Sequence, residues 1–425
     1  MTTSTPPPEP TSCPAGHGPP TAVDDRVDVD SKEFAADPFG AYRHLRATHG
    51  PVAPAYIGET PVTLITGFRE ALQVLGDPGY SADPRAWQSK QQNQDPDDCP
   101  ALPVLGWRPD VQHAAGLDRA RLRQSVVAAI KSVDQLALEK LVKHSAVTLI
   151  NQFCEAGCAD LLAQFAVPLV HTVVDHMLGL AYNEAEYAFE AIMELRELRA
   201  GGSPRAVEHS HHKLVQAMTA AVAAKAAEPG PDLTSWLLHH TDREDRGTEP
   251  HQLAMVYRFA TEPVWNLIAN VVLMTVTDDR AVGDVLGGAM STRDGIDAVL
   301  FTDPPVTSCV RYPTQMKLMA DAWLSAHEPV LISLAASTTD PVVEGAHTGN
   351  RSYLAFGAGE HECPDAAKTI ALLITRAAVD ELMDALPDIT LAEPVERLTR
   401  LPGPFDRALG ALPVTFPASP PLQII

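Results

Sequence analysis

The sequence predicts a mainly α-helical protein with smaller β-sheets. Helical apolar periodicity runs through residues 134–200, about 250–277 and 366–386, which are long enough for many helical turns. Short alternating segments at 52–56 and 61–65 are typical of two paired strands. A glycine-rich stretch with a single cysteine immediately precedes the last of the long helical segments. Together these features favour a helical protein organised around a cysteine-bearing loop.

Composition and charge exclude several classes of protein. Of the 425 residues, 45% are hydrophobic and 20% are charged, as in an ordinary globular protein. The net charge of −22 argues against general binding to nucleic acid or to an anionic membrane. No apolar run reaches the ~18 residues of a membrane span, and the N-terminus lacks the features of a signal peptide. We therefore expect a cytoplasmic protein with a disordered tail, 1–21, rich in Pro, Ser and Thr, and one domain, 22–425.

The six cysteines are few and scattered, which predicts a reducing compartment and no disulfide framework. Cys154 and Cys158 are four residues apart and could share a helix face as a metal-binding pair. No second Cys or His pair lies near them in the sequence, so core packing is the favoured interpretation.

Residues 353–364 read YLAFGAGEHECP and contain the pattern F-G-x-G-x-H-x-C, formed by Phe356, Gly357, Gly359, His361 and Cys363. Two glycines so close together let a backbone bend tightly and approach a flat ligand. A cysteine thiolate can bind a metal, and the N-terminus of the following helix would stabilise that anion. A lone GxG would favour a simple turn with a buried cysteine, but all five residues in register favour a metal-binding loop.

This loop resembles the haem-binding loop of the cytochrome P450 family, the haem-thiolate monooxygenases, and the resemblance extends over nearly the whole chain. It implies the cytochrome P450 fold, with heme b between a long distal helix and the helix that follows the cysteine. Cys363 would bind the iron, and His361 would point to a haem propionate. The resemblance also implies a small-molecule substrate, with ferredoxin and ferredoxin reductase as electron donors.

Arginines in the helix predicted from residue 116 are candidates for holding a propionate. Arg119 and Arg123 are four residues apart and share a helix face. They occupy the first and last positions of the family pattern H-x-R-L-R, which binds a propionate, and a guanidinium can replace the histidine there. The alternative is a basic helix face that is exposed to solvent or that contacts an electron-donor protein. Arg311 aligns with the family arginine that holds the other propionate.

Glu262 is a carboxylate within the apolar central helix, and Pro263 beside it interrupts the helical hydrogen-bond ladder. Such a combination often marks a functional site. In the family pattern A-G-x-(D/E)-T, the acid and the alcohol relay protons to dioxygen. Here Pro263 replaces the threonine, and Phe259 replaces the small first residue. We expect Glu262 to be catalytic, with water or a substrate hydroxyl completing proton delivery.

Ala298 and Phe301 stand where the family carries E-x-x-R. Replacement of both partners of a buried ion pair by apolar groups can be nearly neutral for stability. The segments DPPV, EPVLISLAA, LPGPF and RALGALPVTF look most like a divergent actinobacterial subgroup that lacks the motif. His209, His211 and His212 follow a Gly-Gly-Ser-Pro break, and we expect them to be exposed or to line the substrate access path.

Two functions follow from the resemblance. The first is oxidation of a small specialised metabolite, either by hydroxylation or by oxidative C–C or C–N coupling of an aromatic. An indole, a phenol or a tryptophan-containing cyclic dipeptide would suit coupling, which the missing alcohol favours. The alternative is a non-enzymatic haem protein, a sensor or a decayed partner protein, which the missing E-x-x-R motif favours.

Overall fold

The structure is a computed structural model that describes residues 26–91, 99, 101–199, 201–277, 291–343 and 351–423. The predicted tail, 1–21, and most of a polar loop predicted over 89–100 lie outside these ranges. The tail and the single-domain boundary at residue 22 therefore stay predictions.

Helices dominate the described chain, as predicted. A π-helix, Leu162–Ala166, leads directly into the eighth α-helix. In chain order, α1 to α15 are Lys32–Ala36, Pro38–His49, Phe68–Gly76, Arg85–Gln91, Leu102–Leu105, Gly116–Lys131, Gln135–Ile150, Val167–Leu178, Tyr182–Leu198, Pro204–Ala227, Leu233–His240, Glu249–Thr277, Thr292–Thr302, Leu334–Thr338 and Asp365–Ala385.

The strands form one larger sheet and three small ones. In chain order, β1 to β13 are Val27–Asp28, Val52–Ile57, Thr60–Ile65, Tyr80–Ser81, Cys158–Asp160, Ser308–Pro313, Lys317–Met319, Ala322–Leu324, Val330–Ser333, Thr390–Leu391, Arg400–Leu401, Ala408–Leu409 and Pro413–Thr415. The six-stranded sheet has the order β1-β2-β3-β9-β6-β4, and the three-stranded sheet has the order β10-β13-β5. The pairs β11-β12 and β7-β8 complete the set among the described residues.

The long helix α12 lies in the core. It packs against α8, α10, α13 and α15, and Tyr257 and Trp265 are among its fully buried side chains. By length and composition α12 could cross a membrane, but 61% of its most apolar window is buried inside the protein. That burial is typical of a core helix, since its apolar faces are covered by neighbouring helices.

The larger sheet contains the predicted pair of strands and one predicted site residue, Arg311. The predicted strands 52–56 and 61–65 pair antiparallel as β2 and β3, with Val52 opposite Ile65. β9 joins β3 in parallel and β6 in antiparallel, and Arg311 of β6 lies opposite Val330. The sheet thereby fixes the position of Arg311.

Three local predictions need correction. The segment EPVLISLAA within residues 327–340 predicts a strand, and that strand is β9, Val330–Ser333; it ends early because the Ser333 hydroxyl accepts the N–H of Ala336 at 3.0 Å and begins α14. Helix α10 begins at Pro204, not near residue 213, because Ser203 caps it. Cys154 is buried in the core, as the favoured interpretation predicts, whereas Cys158 is exposed in β5, so core packing was wrong for Cys158 and the two do not share a helix face. The described residues contain no group of three metal-ligating side chains.

Candidate haem-binding site

The loop that carries Cys363 has the tight geometry that its glycines predict. Gly357 and Gly359 both have φ of 72°, in the left-handed region that favours glycine. A Cβ on Gly359 would lie 2.2 Å from the carbonyl oxygen of Leu75 in α3, so only glycine fits there. The N–H of Cys363 donates to the Phe356 carbonyl at 2.9 Å and closes the loop.

The Cys363 thiol lies two residues before α15. Burial raises the pKa of Cys363 to about 11, although Lys368 and Arg123 oppose the rise. Burial therefore opposes the thiolate that the N-terminus of α15 is expected to stabilise, and that stabilisation stays a prediction. A metal that binds this sulfur must displace its proton, as is usual for thiolate ligands.

The predicted propionate residues come together beside this loop. Arg119 is 6% exposed, and its Nη1 lies 3.7 Å from the Glu360 carboxylate. Its Nε and Nη2 atoms are buried and have no hydrogen-bond partner among the described residues. Burial, followed by the charges of Arg311, Arg119 and Arg123, lowers the pKa of His361 to about 2, so this imidazole is neutral.

The other two arginines are each tied to backbone. Arg123 Nη2 donates to the carbonyl of Glu362 at 2.6 Å, and Arg311 Nη1 donates to the carbonyl of Val310 at 2.7 Å. Glu360 is the carboxylate closest to Arg119 in the described chain, and its side chain is 58% exposed. Three guanidinium groups with unused donors therefore fit the two propionates of a haem.

Glu262 has two partners that sequence reasoning missed. Its carboxylate lies 3.3 Å from Arg196 Nη1 and 2.6 Å from Arg199 Nη2, and Arg199 also binds Asp406 at 2.8 Å. Burial raises the pKa of Glu262, and the two guanidinium groups oppose the rise. Arginines near the end of an amphipathic helix look like surface residues in sequence, so no signal pointed to them. The catalytic role of Glu262 stays a prediction.

The segment around Glu262 offers no free hydroxyl. The Thr261 side chain is fully buried and donates to the Tyr257 carbonyl at 2.8 Å. Pro263 lies inside α12 in place of an alcohol. Phe259 is 43% exposed although it belongs to the same core helix.

The absent E-x-x-R pair has a neighbouring substitute. Phe301 is 1% exposed in α13, as expected for an apolar replacement. Asp297, one residue before Ala298, is 4% exposed and lies 3.1 Å from Arg351 Nε, and it accepts the Tyr353 hydroxyl at 3.2 Å. This carboxylate, which sequence reasoning missed, fixes the segment that enters the cysteine loop.

A cleft of about 360 Å³ lies between residues 88–108 and α10. His209 and His212 line it, as predicted for an access path. His211 was predicted to be exposed or access-lining, and this was wrong: it is 5% exposed, and burial lowers its pKa to about 2. Arg121, which lies between Arg119 and Arg123 in α6, pairs with Asp245 and Asp118 at 3.2 and 3.0 Å.

Solved structures decide the fold. The testosterone-bound CYP154C4 from a Streptomyces strain superposes with a TM-score of 0.81 at 25% identity, covering 92% of this chain and 98% of that one. CYP154C4 from another Streptomyces strain gives a TM-score of 0.78 at 26% identity, covering 89% and 95%. The fold is that of the cytochromes P450. A cytochrome P450 implies a haem whose iron is bound by a cysteine thiolate.

Curated relatives agree with this cytochrome P450 fold. Cytochrome P450 107B1 of Saccharopolyspora erythraea is 26% identical over 395 residues, covering 90% of this chain and 95% of the relative. Cytochrome P450 monooxygenase PikC of Streptomyces venezuelae is 28% identical over 409 residues, covering 91% and 92%. No family model matches the chain. The relatives support an actinobacterial cytochrome P450 and, through their names, a monooxygenase.

Proposed function

We propose that this protein is a haem-thiolate monooxygenase in which Cys363 binds the iron. The observation that supports this most is the cluster formed by the cysteine loop with Arg119, Arg311 and His361. The unpartnered Nε and Nη2 atoms of Arg119 would bind one propionate, and Arg311 would bind the other. When bound, the haem supplies the redox centre that activates dioxygen, and its thiolate ligand favours O–O cleavage.

The residues of α12 would transfer protons and orient the substrate. Glu262 would hold or release a proton at its carboxylate, and Arg196 and Arg199 fix the orientation of that group. Because Thr261 is bound to backbone and Pro263 has no hydroxyl, a water or a substrate hydroxyl would complete the relay. The exposed Phe259 would limit how the substrate approaches.

The proposed reaction is oxidation of a small specialised metabolite, with electrons from ferredoxin and ferredoxin reductase. Oxidative C–C or C–N coupling of an aromatic is the finer proposal, supported by the missing alcohol at Pro263 and by the large ring of Phe259. Hydroxylation is the other outcome. We also propose a cytoplasmic location and membership of a subgroup without E-x-x-R, the latter supported by the apolar packing of Phe301.

A non-enzymatic haem protein is the second candidate. The specific observation that favours it is Phe259, whose ring is 43% exposed at a position where the family has a small residue. A ring over the distal face would hinder oxygen and substrate together. Turnover distinguishes the two candidates, because only an enzyme forms product in proportion to the electrons that it consumes.

The carbon monoxide difference spectrum of the reduced protein tests the ligand. We expect the band of thiolate-bound haem, lost in Cys363→Ser and kept in Cys158→Ser, which changes an exposed cysteine. A thiolate band in the Cys363→Ser protein would refute the assignment.

Turnover with ferredoxin, ferredoxin reductase and a panel of indoles and phenols then separates the reactions: dimeric or cross-linked products support coupling, and oxygen insertion alone rejects it.

A further inference from the structure

Two side chains in the middle of the core helix α12 are exposed. Arg258 and Phe259 are exposed, whereas Val256, Tyr257 and Thr261 around them are buried. α12 packs against α8, α10, α13 and α15, so the exposure of Arg258 and Phe259 marks a part of the helix that these neighbours leave uncovered. Burial lowers the pKa of the Arg258 guanidinium, although solvent reaches the side chain. Both observations are consistent with a charged group that projects into an enclosed space.

Segments from several parts of the chain surround Arg258. Its guanidinium interacts electrostatically with Arg108 and Asp110 of the loop before α6, with Arg199 at the end of α9, and with Asp406 of the β11-β12 turn. It also acts on the buried His211 of α10. Arg258 therefore lies where the access cleft, α9, α10 and the C-terminal turn converge.

The acidic groups around Arg258 already have partners. Glu208 pairs with Arg108 at 3.0 Å, and Asp110 pairs with His113 at 2.8 Å. Glu262 and Asp406 both pair with Arg199, at 2.6 and 2.8 Å. The guanidinium of Arg258 forms no hydrogen bond or ion pair with any residue that the structure describes. Arg258 therefore keeps its hydrogen-bond donors available, while the charges of Asp406 and Asp110 favour its cationic form without contacting it, so the guanidinium can bind the carboxylate of a ligand directly.

The surroundings also include large apolar side chains. Phe259 is 43% exposed next to Arg258, and Trp107 and Val104 are each 39% exposed in the segment that carries Arg108. A guanidinium binds a carboxylate with two parallel hydrogen bonds. We propose that the cavity takes an organic acid whose carboxylate binds Arg258 and whose apolar or aromatic body lies against Phe259. The inference rests on the proposed function, because it identifies this cavity as the substrate site.

Matched ligand pairs test the inference. The haem-loaded protein is titrated with 3-phenylpropionate and its amide, indole-3-propionate and its amide, and dodecanoate and its methyl ester, and Kd is read from the haem absorption shift. We expect at least one acid to bind tenfold or more tightly than its neutral analogue. Arg258→Gln should weaken that acid at least tenfold and change the neutral analogue less than twofold.

The controls separate this inference from the proposed function. Arg397→Gln, which changes an exposed arginine in the turn before β11, should behave as the wild type. The carbon monoxide spectrum reports on the thiolate-bound haem in every variant, so its absence in the wild type would reject the proposed function. With that spectrum intact, failure of every acid to bind, equal binding of both members of all pairs, or an unchanged acid Kd in Arg258→Gln would overturn the role of Arg258. Loss of haem in Arg258→Gln would also overturn it, since Arg258 would then serve the cofactor.

Discussion

Asp297 of α13 lies 3.1 Å from the guanidinium of Arg351, and this ion pair ties a core helix to the segment that enters the cysteine loop. Asp297 also accepts the hydroxyl of Tyr353 at 3.2 Å. Asp297→Ala should lower the free energy of unfolding by about 1–3 kcal/mol, because the half-buried Tyr353 hydroxyl and the Arg351 guanidinium lose hydrogen bonds to a charged acceptor, and should reduce haem content. Guanidinium denaturation and haem absorbance measure both. Asp321→Ala, at an exposed position, is the control; equal effects of the two changes would contradict the anchoring role.

The two loop glycines provide a matched pair. Both have φ of 72°, so alanine at either position costs about 1–2 kcal/mol of backbone strain. At Gly357 the nearest atom to a new Cβ is 3.8 Å away, whereas at Gly359 the Leu75 carbonyl oxygen is 2.2 Å away. Gly359→Ala should therefore lose more stability and more haem than Gly357→Ala. Denaturation midpoints and haem content measure the difference. Equal values for the two variants would contradict this prediction.

Arg119 and Arg121 should differ in their effect on haem. Arg119 has two buried nitrogens without a partner in the described chain, while Arg121 is already in ion pairs with Asp245 and Asp118. If Arg119 binds a propionate, Arg119→Gln should weaken haem binding about 10- to 100-fold, the value of a hydrogen bond to a charged group. Arg121→Gln should leave it nearly unchanged. The rate of haem transfer to apomyoglobin measures the difference, and equal rates would argue against the propionate role.

Glu262 and Arg199 should be coupled in stability. Removal of one partner from a buried ion pair costs about 3–5 kcal/mol, because the other charge is left uncompensated. Glu262→Gln and Arg199→Gln should each destabilise the protein, and the double variant should lose less than the sum of the two. Unfolding free energies of the four proteins measure this coupling. Strict additivity would show that the 2.6 Å contact carries no interaction energy.

His171 should make the protein sensitive to acid. Burial lowers its pKa from 6.5 to about 3, so the folded protein excludes a proton that the unfolded chain binds below pH 6.5. Stability is thus full above pH 6.5 and falls as the pH drops toward 3. Between pH 7 and pH 5 the loss is about 2 kcal/mol. Burial raises the pKa of Asp175 to about 6, which acts in the opposite direction in this range.

The variant His171→Gln isolates this effect, because it keeps a polar partner for the Tyr257 hydroxyl, 2.9 Å from the imidazole, but does not titrate. Asp175 remains in both proteins. Denaturation at pH 7 and pH 5 should show a smaller loss in the variant than in the wild type. The same loss in both would mean that His171 is protonated in the folded state.

Much of the fold was predictable because its signals are local. The paired strands, the central helix and the loop ending at Cys363 follow from alternation, periodicity and glycine spacing, which depend on neighbouring residues alone. The family pattern supplied Arg119 and Arg311, which the structure places beside that loop. The strand predicted for EPVLISLAA is present but shorter than expected, because the Ser333 hydroxyl caps a helix that begins at Leu334.

What could not be predicted depends on contacts between distant segments. Arg199 meets Glu262 across 63 positions of sequence, and Asp297 meets Arg351 across 54. The sequence separation of either pair does not indicate a contact, because tertiary packing alone brings the partners together. Arg258 reads as an ordinary charged residue in sequence, and only its exposure within a buried helix distinguishes it.

The contact between Gly359 and the Leu75 carbonyl has a consequence for how the protein assembles. The loop that carries Cys363 comes from the C-terminal quarter of the chain, but it packs against α3, near the other end. A ribosome must therefore release almost the whole polypeptide before the loop can take its final shape. Cofactor capture should follow synthesis, and a fragment that begins after residue 76 should not retain haem however complete its own motif is.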